Sequence, residues 1–177
     1  MPIEIRPAIA TDLPHLMGMD HSVFSDYVWQ LDLRKEPGQV SANLREVRLP
    51  RPVKVAYPRN PFTLADEWQF KSLMLVATQP EPMGYACLSA QNAGAVVWIT
   101  DLVVAPERRQ SGVGSALLQA AEEWALTHGG NILFFEAQAK NQPAIRLAQK
   151  FGFEFCGYND HYYASQDVAL FFGRVLK

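Results

Sequence analysis

The segment that most restricts how this chain folds runs from Val103 to Leu117 (Val-Val-Ala-Pro-Glu-Arg-Arg-Gln-Ser-Gly-Val-Gly-Ser-Ala-Leu). An apolar strand passes through a basic loop into a helix whose first turn holds Gly112 and Gly114, and that succession points to a sheet with helices packed on it. Val113, Leu117, Ala120, Ala121 and Trp124 recur on one helical face, with Gln119, Glu122 and Glu123 on the other. His128-Gly129-Gly130 ends the helix. The unpaired N–H groups and dipole of such a helix start form an anion site, and glycines let a phosphate reach the backbone. Arg108 and Arg109 add full charge; solvated arginines at a plain helix start are the bland alternative. A dinucleotide fingerprint fails, because Leu117 stands at the third glycine position and no βαβ unit precedes it.

Around this segment the pattern is that of one mixed sheet. Ile3 and Ile5 mark a short first strand ended by Pro7, and Thr11 or Asp12 caps a helix through Met19. Leu73 to Ala77, Met83 to Ala90 and Ala95 to Val104 read as successive strands. Ile132 to Phe135 has the continuous apolar character of a buried parallel strand. Asn141 with Pro143 starts a second helix, Ala144 to Phe151, closed by Gly152. Phe153 to Tyr158 and Val168 to Val175 supply the last strands. Residues 22 to 71 are the least regular, with Phe24, Tyr27 and Trp29, a break at Pro37-Gly38, and a basic run from Leu44 to Tyr57.

Several function classes fall away on composition. The 16 Lys+Arg against 18 Asp+Glu leave a net charge of −2, which offers no global field for nucleic acid. The longest apolar runs fall far short of the roughly 18 to 20 residues that span a bilayer, and the N-terminus has no signal-peptide pattern. Cys87 and Cys156 lie in strand-like context and read as buried free thiols, which fits a cytoplasmic setting. His15, His21, His128 and His161 show no ligand spacing, so no metal site is expected. Neither a nucleophile elbow nor a G-K-S/T phosphate loop occurs.

Arg109-Gln110-Ser111-Gly112-Val113-Gly114, preceded by the strand Trp98 to Val104 and the turn Ala105-Pro106-Glu107, resembles the R/Q-x-x-G-x-G/A block of the Gcn5-related N-acetyltransferases (GNAT). Asn141 to Phe153 is similar to that family's second block, N-x-x-A-x-x-L-Y-x-x-x-G-F. The resemblance covers residues 71 to 177 well and 3 to 20 plausibly. Glu136 to Asn141, Glu122 to Ala125 and the terminal strand look most like the streptothricin acetyltransferases within the family. The fold implied is α/β (α+β): a single N-acetyltransferase domain over 1–177, with one mixed, mostly antiparallel sheet, flanking helices and a central strand splay holding acetyl-CoA. The reaction implied is acetyl transfer from that co-substrate to a primary amine of a small molecule, with a homodimer left open.

The resemblance assigns the cofactor anchor to Arg109, Gln110, Ser111, Gly112, Val113, Gly114 and Ser115, and pairing with the pantetheine arm to Leu102, Val103 and Val104. Asn141 stands where relatives place a cofactor-contacting amide, with Ala144 beside it; Asn141 as a plain helix cap is compatible with that role. Oxyanion donors of the strand-edge kind are worth about 3 kcal/mol. The general base is open between Asp101, Glu136 and a water relay. Thr100 replaces the Glu of relatives, and strand alternation turns its neighbour Asp101 to the opposite face unless a bulge re-aims it. Ala148 replaces the usual acidic Tyr, and Tyr158, Tyr162 or Tyr163 from the last hairpin are the substitutes.

Residues 22–71 are expected to form an acceptor-side insertion. Asp26, Tyr27, Trp29 and Asp32 are suited to an amine-bearing substrate, with an ordinary exposed helix as the alternative. Arg45, Arg48, Arg51, Lys54 and Arg59 read as solvated edge-strand charges, or as a site for an acidic group. Two further readings stay open: a non-catalytic acyl-CoA-binding or regulatory module, motivated by Thr100 and Ala148, and an enzyme acetylating protein N-termini or lysines.

Overall fold

Short apolar runs bounded by turn residues become strands, and the longer runs of helical period become helices. The computed structural model describes residues 1–177, with β1 (Glu4–Pro7), α1 (Leu13–Gly18), β2 (Val23–Glu36), β3 (Gln39–Val55), α2 (Leu64–Glu67), β4 (Leu73–Thr78), β5 (Pro82–Gln91), β6 (Val96–Val104), α3 (Val113–Thr127), β7 (Ile132–Gln138), α4 (Gln142–Lys150), β8 (Glu154–Asn159) and β9 (Ala169–Val175). Seven strands form the expected mixed sheet in the order β1-β4-β5-β6-β7-β9-β8. All pairs are antiparallel except β6 with β7. No helix is long and apolar enough to cross a membrane.

The two faces of the sheet carry separate cores. On one, α3 and α4 set Leu117, Leu118, Ile145 and Ala148 against Ile99, Leu133, Phe135 and Leu170. On the other, α1 and α2 set Leu13, Leu16 and Leu64 against Met74, Val76, Tyr85 and Val103. A six-residue helix such as α1 has no stability of its own, so its place depends on Leu16, which is fully buried. Truncating Leu16 to Ala costs about 2–5 kcal/mol.

Helix ends follow local chemistry. At the C-terminus of α3, His128 Nδ1 lies 2.8 Å from Trp124 O, Gly129 adopts φ +80°, and Gly130 N–H donates to Ala125 O at 2.7 Å. Asp12 precedes α1 but does not cap it. Its carboxylate accepts Ile9 N–H and a two-pronged pair of bonds from Arg6, at 2.7 and 2.8 Å, and Arg6 holds the Asp12 carboxyl below its ordinary pKa.

Three sequence expectations need correction. The aromatic stretch from Phe24 is not a helix, and the main sheet is not alone: β2 and β3 form a separate two-stranded ribbon turning at Pro37-Gly38, where Gly38 takes φ +73°. The signal was a period of two, since Trp29, Leu31 and Leu33 share a face with Leu44 and Ala42 across the ribbon. Pro50 and Pro52 obscured it. They sit in a four-residue excursion of β3, between the pairs Tyr27–Arg48 and Ser25–Val53, where a missing N–H costs no ladder bond. Cys87 is buried as expected but Cys156 is exposed, because β8 is the edge of the sheet.

Candidate active site

The cleft begins where β6 and β7 part. Their parallel pairing runs from Val96–Ile132 to Ile99–Phe135 and stops, although β6 continues to Val104 and β7 to Gln138. A bulge lies at the same point: Cys87 pairs with Asp101 and Leu88 with Ile99, leaving Thr100 as the extra residue. The bulge inverts the alternation of β6. Val97 and Ile99 face the α3/α4 core, but beyond it Leu102 and Val104 take that face and Val103 joins the opposite core. Asp101 is thereby turned to the α1/α2 face, the re-aiming that strand alternation alone forbids. Ala105 N–H donates to Met83 O, so ladder alternation directs the backbone groups of Leu102 and Val104 away from β5, toward the cleft.

At the exit of β6 the chain leaves a row of donors open. The backbone N–H groups of Gln110, Ser111, Gly112, Val113, Gly114 and Ser115 make no hydrogen bond within the chain, and the first bonded N–H is that of Ala116, to Gly112 O. Gln110 and Gly112 take φ +57° and +92°, which curls the loop into the helix start. A Cβ on Gly114 would come within 3.1 Å of Leu147 Cδ2, so this glycine lets α3 approach α4. Converging N–H groups at a helix start fit a pyrophosphate. Arg109 is engaged otherwise: Nε donates to Val104 O at 2.9 Å and Nη2 to Ser22 O at 2.7 Å, fastening the start of β2 to the end of β6. Burial lowers its pKa. Arg108 is exposed.

Across the cleft, the second start is closed. Asn141 caps α4 by accepting Ala144 N–H at 3.2 Å, and Pro143 has no N–H to satisfy. Trp29 of β2 reaches the same corner, its N–H bonded to Ala139 O at 2.9 Å and its indole Nε1 to Gln142 Oε1 at 3.1 Å. Because Arg109 holds Ser22 and Ala139 holds Trp29, the first half of β2 bridges the ends of β6 and β7. Gln142 is buried, and its Nε2 has no partner.

On the α1/α2 face, two buried carboxylates share one guanidinium. Leu133, Phe135 and Ala137 of β7 face the α3/α4 core, so Glu136 faces the other way, as Asp101 does. Arg59 donates through Nη1 to Thr100 O and Asp101 Oδ1, both at 3.1 Å, and through Nη2 to Glu136 Oε1 at 2.5 Å. Burial works against the Arg59 cation, and the two carboxylates more than offset it, so its pKa is raised. Tyr57 donates to Asp101 Oδ1 at 2.5 Å, and Tyr162 to Glu136 Oε2 at 3.3 Å. Tyr85 and His21 extend the network, with Tyr85 Oη 3.1 Å from His21 Nε2 and His21 Nδ1 2.8 Å from Met19 O. Burial, then the nearby Asp101, pushes the Tyr57 and Tyr85 phenols up; burial lowers His21.

Asp101 and Glu136 thus meet through a residue that sequence reasoning left among solvated charges. One signal was available: Arg59 breaks the three-residue rhythm of the other basic residues, and with Tyr57 it lies two positions along one extended loop. Tyr158 is not brought to this cluster. From β8 it pairs with Leu170 of β9 and packs on the α3/α4 core, which also contains Ala148.

The family model described as acetyltransferase (GNAT) matches residues 42–153. Over 166 residues, 90% of this chain and 86% of its relative, the sequence is 26% identical to the streptothricin acetyltransferase of Streptomyces lavendulae. The crystal structure of a nourseothricin acetyltransferase superimposes over 100% of both chains with a TM-score of 0.82 at 26% identity. A Bacillus anthracis protein crystallised in complex with acetyl coenzyme A superimposes over 98% of this chain and 99% of its own, with a TM-score of 0.73 at 20% identity. With the parted strands, the open helix start and a family match across well over half its length, the chain belongs to the GNAT acetyltransferase family.

Proposed function

We propose that this protein is an acetyl-CoA-dependent N-acetyltransferase whose acceptor is a small cationic amine of the streptothricin type. The observation that carries the reading is the β6–β7 cleft, with free backbone donors at the start of α3 and two carboxylates against one guanidinium at the opposite face. The donor set fits acetyl-CoA: N–H groups from Gln110 to Ser115 suit its pyrophosphate, and the cleft-facing backbone of Leu102 with the N–H of Val104, whose carbonyl Arg109 holds, suits its amide-bearing arm. When bound, acetyl-CoA supplies an activated acetyl thioester. Asp101, Glu136 and Arg59 sum to one negative charge, which favours an ammonium group at the cleft.

In this reading the protein's proton-handling groups divide between the two faces of the sheet. Asp101 or Glu136, on the α1/α2 face, takes the proton that the amine must lose before it attacks. Tyr158, on the α3/α4 face, is the hydroxyl suited to a departing thiolate. Residues 1–177 act as one domain in which 22–71 faces the acceptor, and the setting is cytoplasmic.

The test is thiol release from acetyl-CoA across a panel of amines, with streptothricin first and mass spectrometry of the acceptor. Release with streptothricin and a gain of one acetyl group is the expected result. No release above hydrolysis with any amine would sink the enzymatic reading in favour of a binding module, and acetylated peptide in place of acetylated small molecule would redirect it to protein acceptors.

A further inference from the structure

We infer that Arg59 is a positioning residue that replaces the missing β6–β7 ladder at the point where the strands part, and so makes the width of the cleft depend on the acceptor-side insertion. The inference rests on the acetyl-CoA reading of that cleft.

The ladder stops at Ile99–Phe135, and the next residues on the two strands are Thr100 and Glu136. Arg59 bonds both: Nη1 takes the carbonyl of Thr100 and Nη2 the carboxylate of Glu136. Thr100 is the bulged residue, whose carbonyl has left the β5 register, so Arg59 satisfies the backbone acceptor that the bulge releases. The third bond, to Asp101 Oδ1, holds β6 on the far side of the bulge. A planar fork is needed for this task, because three acceptors on two strands are reached from one rigid group; a lysine ammonium is a single point charge. The Asp101 and Glu136 side chains are only 4% and 2% exposed, so neither can trade Arg59 for water.

Arg59 is itself placed by the insertion. It lies four residues beyond Val55, the end of β3. Tyr57, two residues before it, bonds the same Asp101 oxygen, while its ring packs on the α1/α2 core. Arg59 also lies over the Tyr163 ring at 5.4 Å, which joins the β8–β9 loop to the clamp. A displacement of β2 and β3 is therefore transmitted through one loop to both edges of the cleft.

Two variants test the clamp. Arg59→Lys keeps the charge without the fork. Arg59→Met combined with Glu136→Gln removes one charge of each sign, which leaves the cluster's net charge unchanged and Asp101 with the hydroxyl donors of Tyr57 and Thr100. Hydrogen exchange of the unliganded protein and calorimetric titration with acetyl-CoA are the readouts. The expected result is faster exchange confined to β6 beyond Ile99 and β7 beyond Phe135, with acetyl-CoA affinity weakened ~10- to 100-fold in the double variant and less in Arg59→Lys. A merely structural arginine would instead raise exchange across the whole sheet as stability falls. Unchanged exchange at the two strand ends overturns the clamp, whatever the affinity. Failure of the wild-type protein to bind acetyl-CoA counts against the acetyltransferase reading, and exchange then decides the clamp alone.

Discussion

The cleft lies between two helix starts that solve the same problem in opposite ways. Every α-helix leaves its first N–H groups without partners. At α4 the chain satisfies them: Asn141 accepts from Ala144, Pro143 contributes no donor, and Gln142 N–H donates to Lys140 O at 3.1 Å. At α3 it supplies nothing between Gln110 and Ser115, and uses Gly112, with φ +92°, to aim the donors together. Leaving six N–H groups without protein partners has no folding benefit, because each would gain about 0.5–1.5 kcal/mol from a good partner. The closed start builds structure, and in the proposed reading the open start is kept for an anion. That division teaches where binding and stability should separate under mutation.

The largest effect should come from Gly112→Val. A β-branched residue at φ +92° costs roughly 1–3 kcal/mol, and relief of that strain rotates the donors apart. Acetyl-CoA affinity measured by calorimetry should fall about 10- to 100-fold. A change under threefold would mean that the α3 start does not hold the anion. Asn141→Ala probes the other start: it should cost about 1 kcal/mol of unfolding stability, with less than a threefold loss of acetyl-CoA affinity. If affinity fell as far as in Gly112→Val, the contrast between the helix starts would collapse and Asn141 would count as a cofactor contact.

The readability of the two regions follows the range of their interactions. The backbone path of the β6–α3 turn is set by contacts within about one helical turn of sequence, so glycine placement and apolar period expose it directly, although the tie of Arg109 to Ser22 is long-range. The α4 start was legible for the same reason, in Asn141 and Pro143. The β2–β3 ribbon was not, because Pro50, Pro52 and the excursion between Arg48 and Val53 interrupt its period of two. Arg59 was less legible still. Its partners Asp101 and Glu136 are 42 and 77 residues away, and its role exists only because a bulge at Thr100 turns Asp101 to Glu136's side of the sheet. Thr100 gives no local signal of a bulge. Tyr158 was singled out for its hydroxyl, and only the pairing with Leu170 reveals which face it occupies.

A smaller effect distinguishes the α1/α2 face by pH. His21 faces Tyr57 and Tyr85, with Asp20, Asp101 and Arg109 as the nearby charges, and burial lowers its pKa from 6.5. Well above pH 6.5 the imidazole is neutral in both folded and unfolded chains, and its burial carries no ionic cost. As pH falls below 6.5 the unfolded chain takes up the proton first, so stability declines until the folded-state pKa is reached. The slope in that window is at most about 1.4 kcal/mol per pH unit. Urea unfolding between pH 7.5 and 5.5 should show this decline in the wild type and a flatter profile in His21→Gln. Equal slopes would place the acid sensitivity of this window outside His21.

The smallest effect concerns the two arginines before the open start, which the sequence treats as a pair and the structure does not. Arg109 is committed to the carbonyls of Val104 and Ser22, so its removal would disturb the junction of β6 and β2 along with any anion. Arg108 is exposed and reaches only Gln79 Oε1, at 3.5 Å. It is therefore the cleaner probe of charge at the α3 start. A solvated cation near a bound polyphosphate acts through screened attraction worth about 0.2–1 kcal/mol. Arg108→Ala should weaken acetyl-CoA binding about two- to threefold at 20 mM salt, and the difference should vanish near 0.5 M, where the screening length falls to about 4–5 Å. A loss that persisted at high salt would mean a direct bond between Arg108 and the phosphates. The open start would then rely on side-chain charge as well as backbone N–H groups.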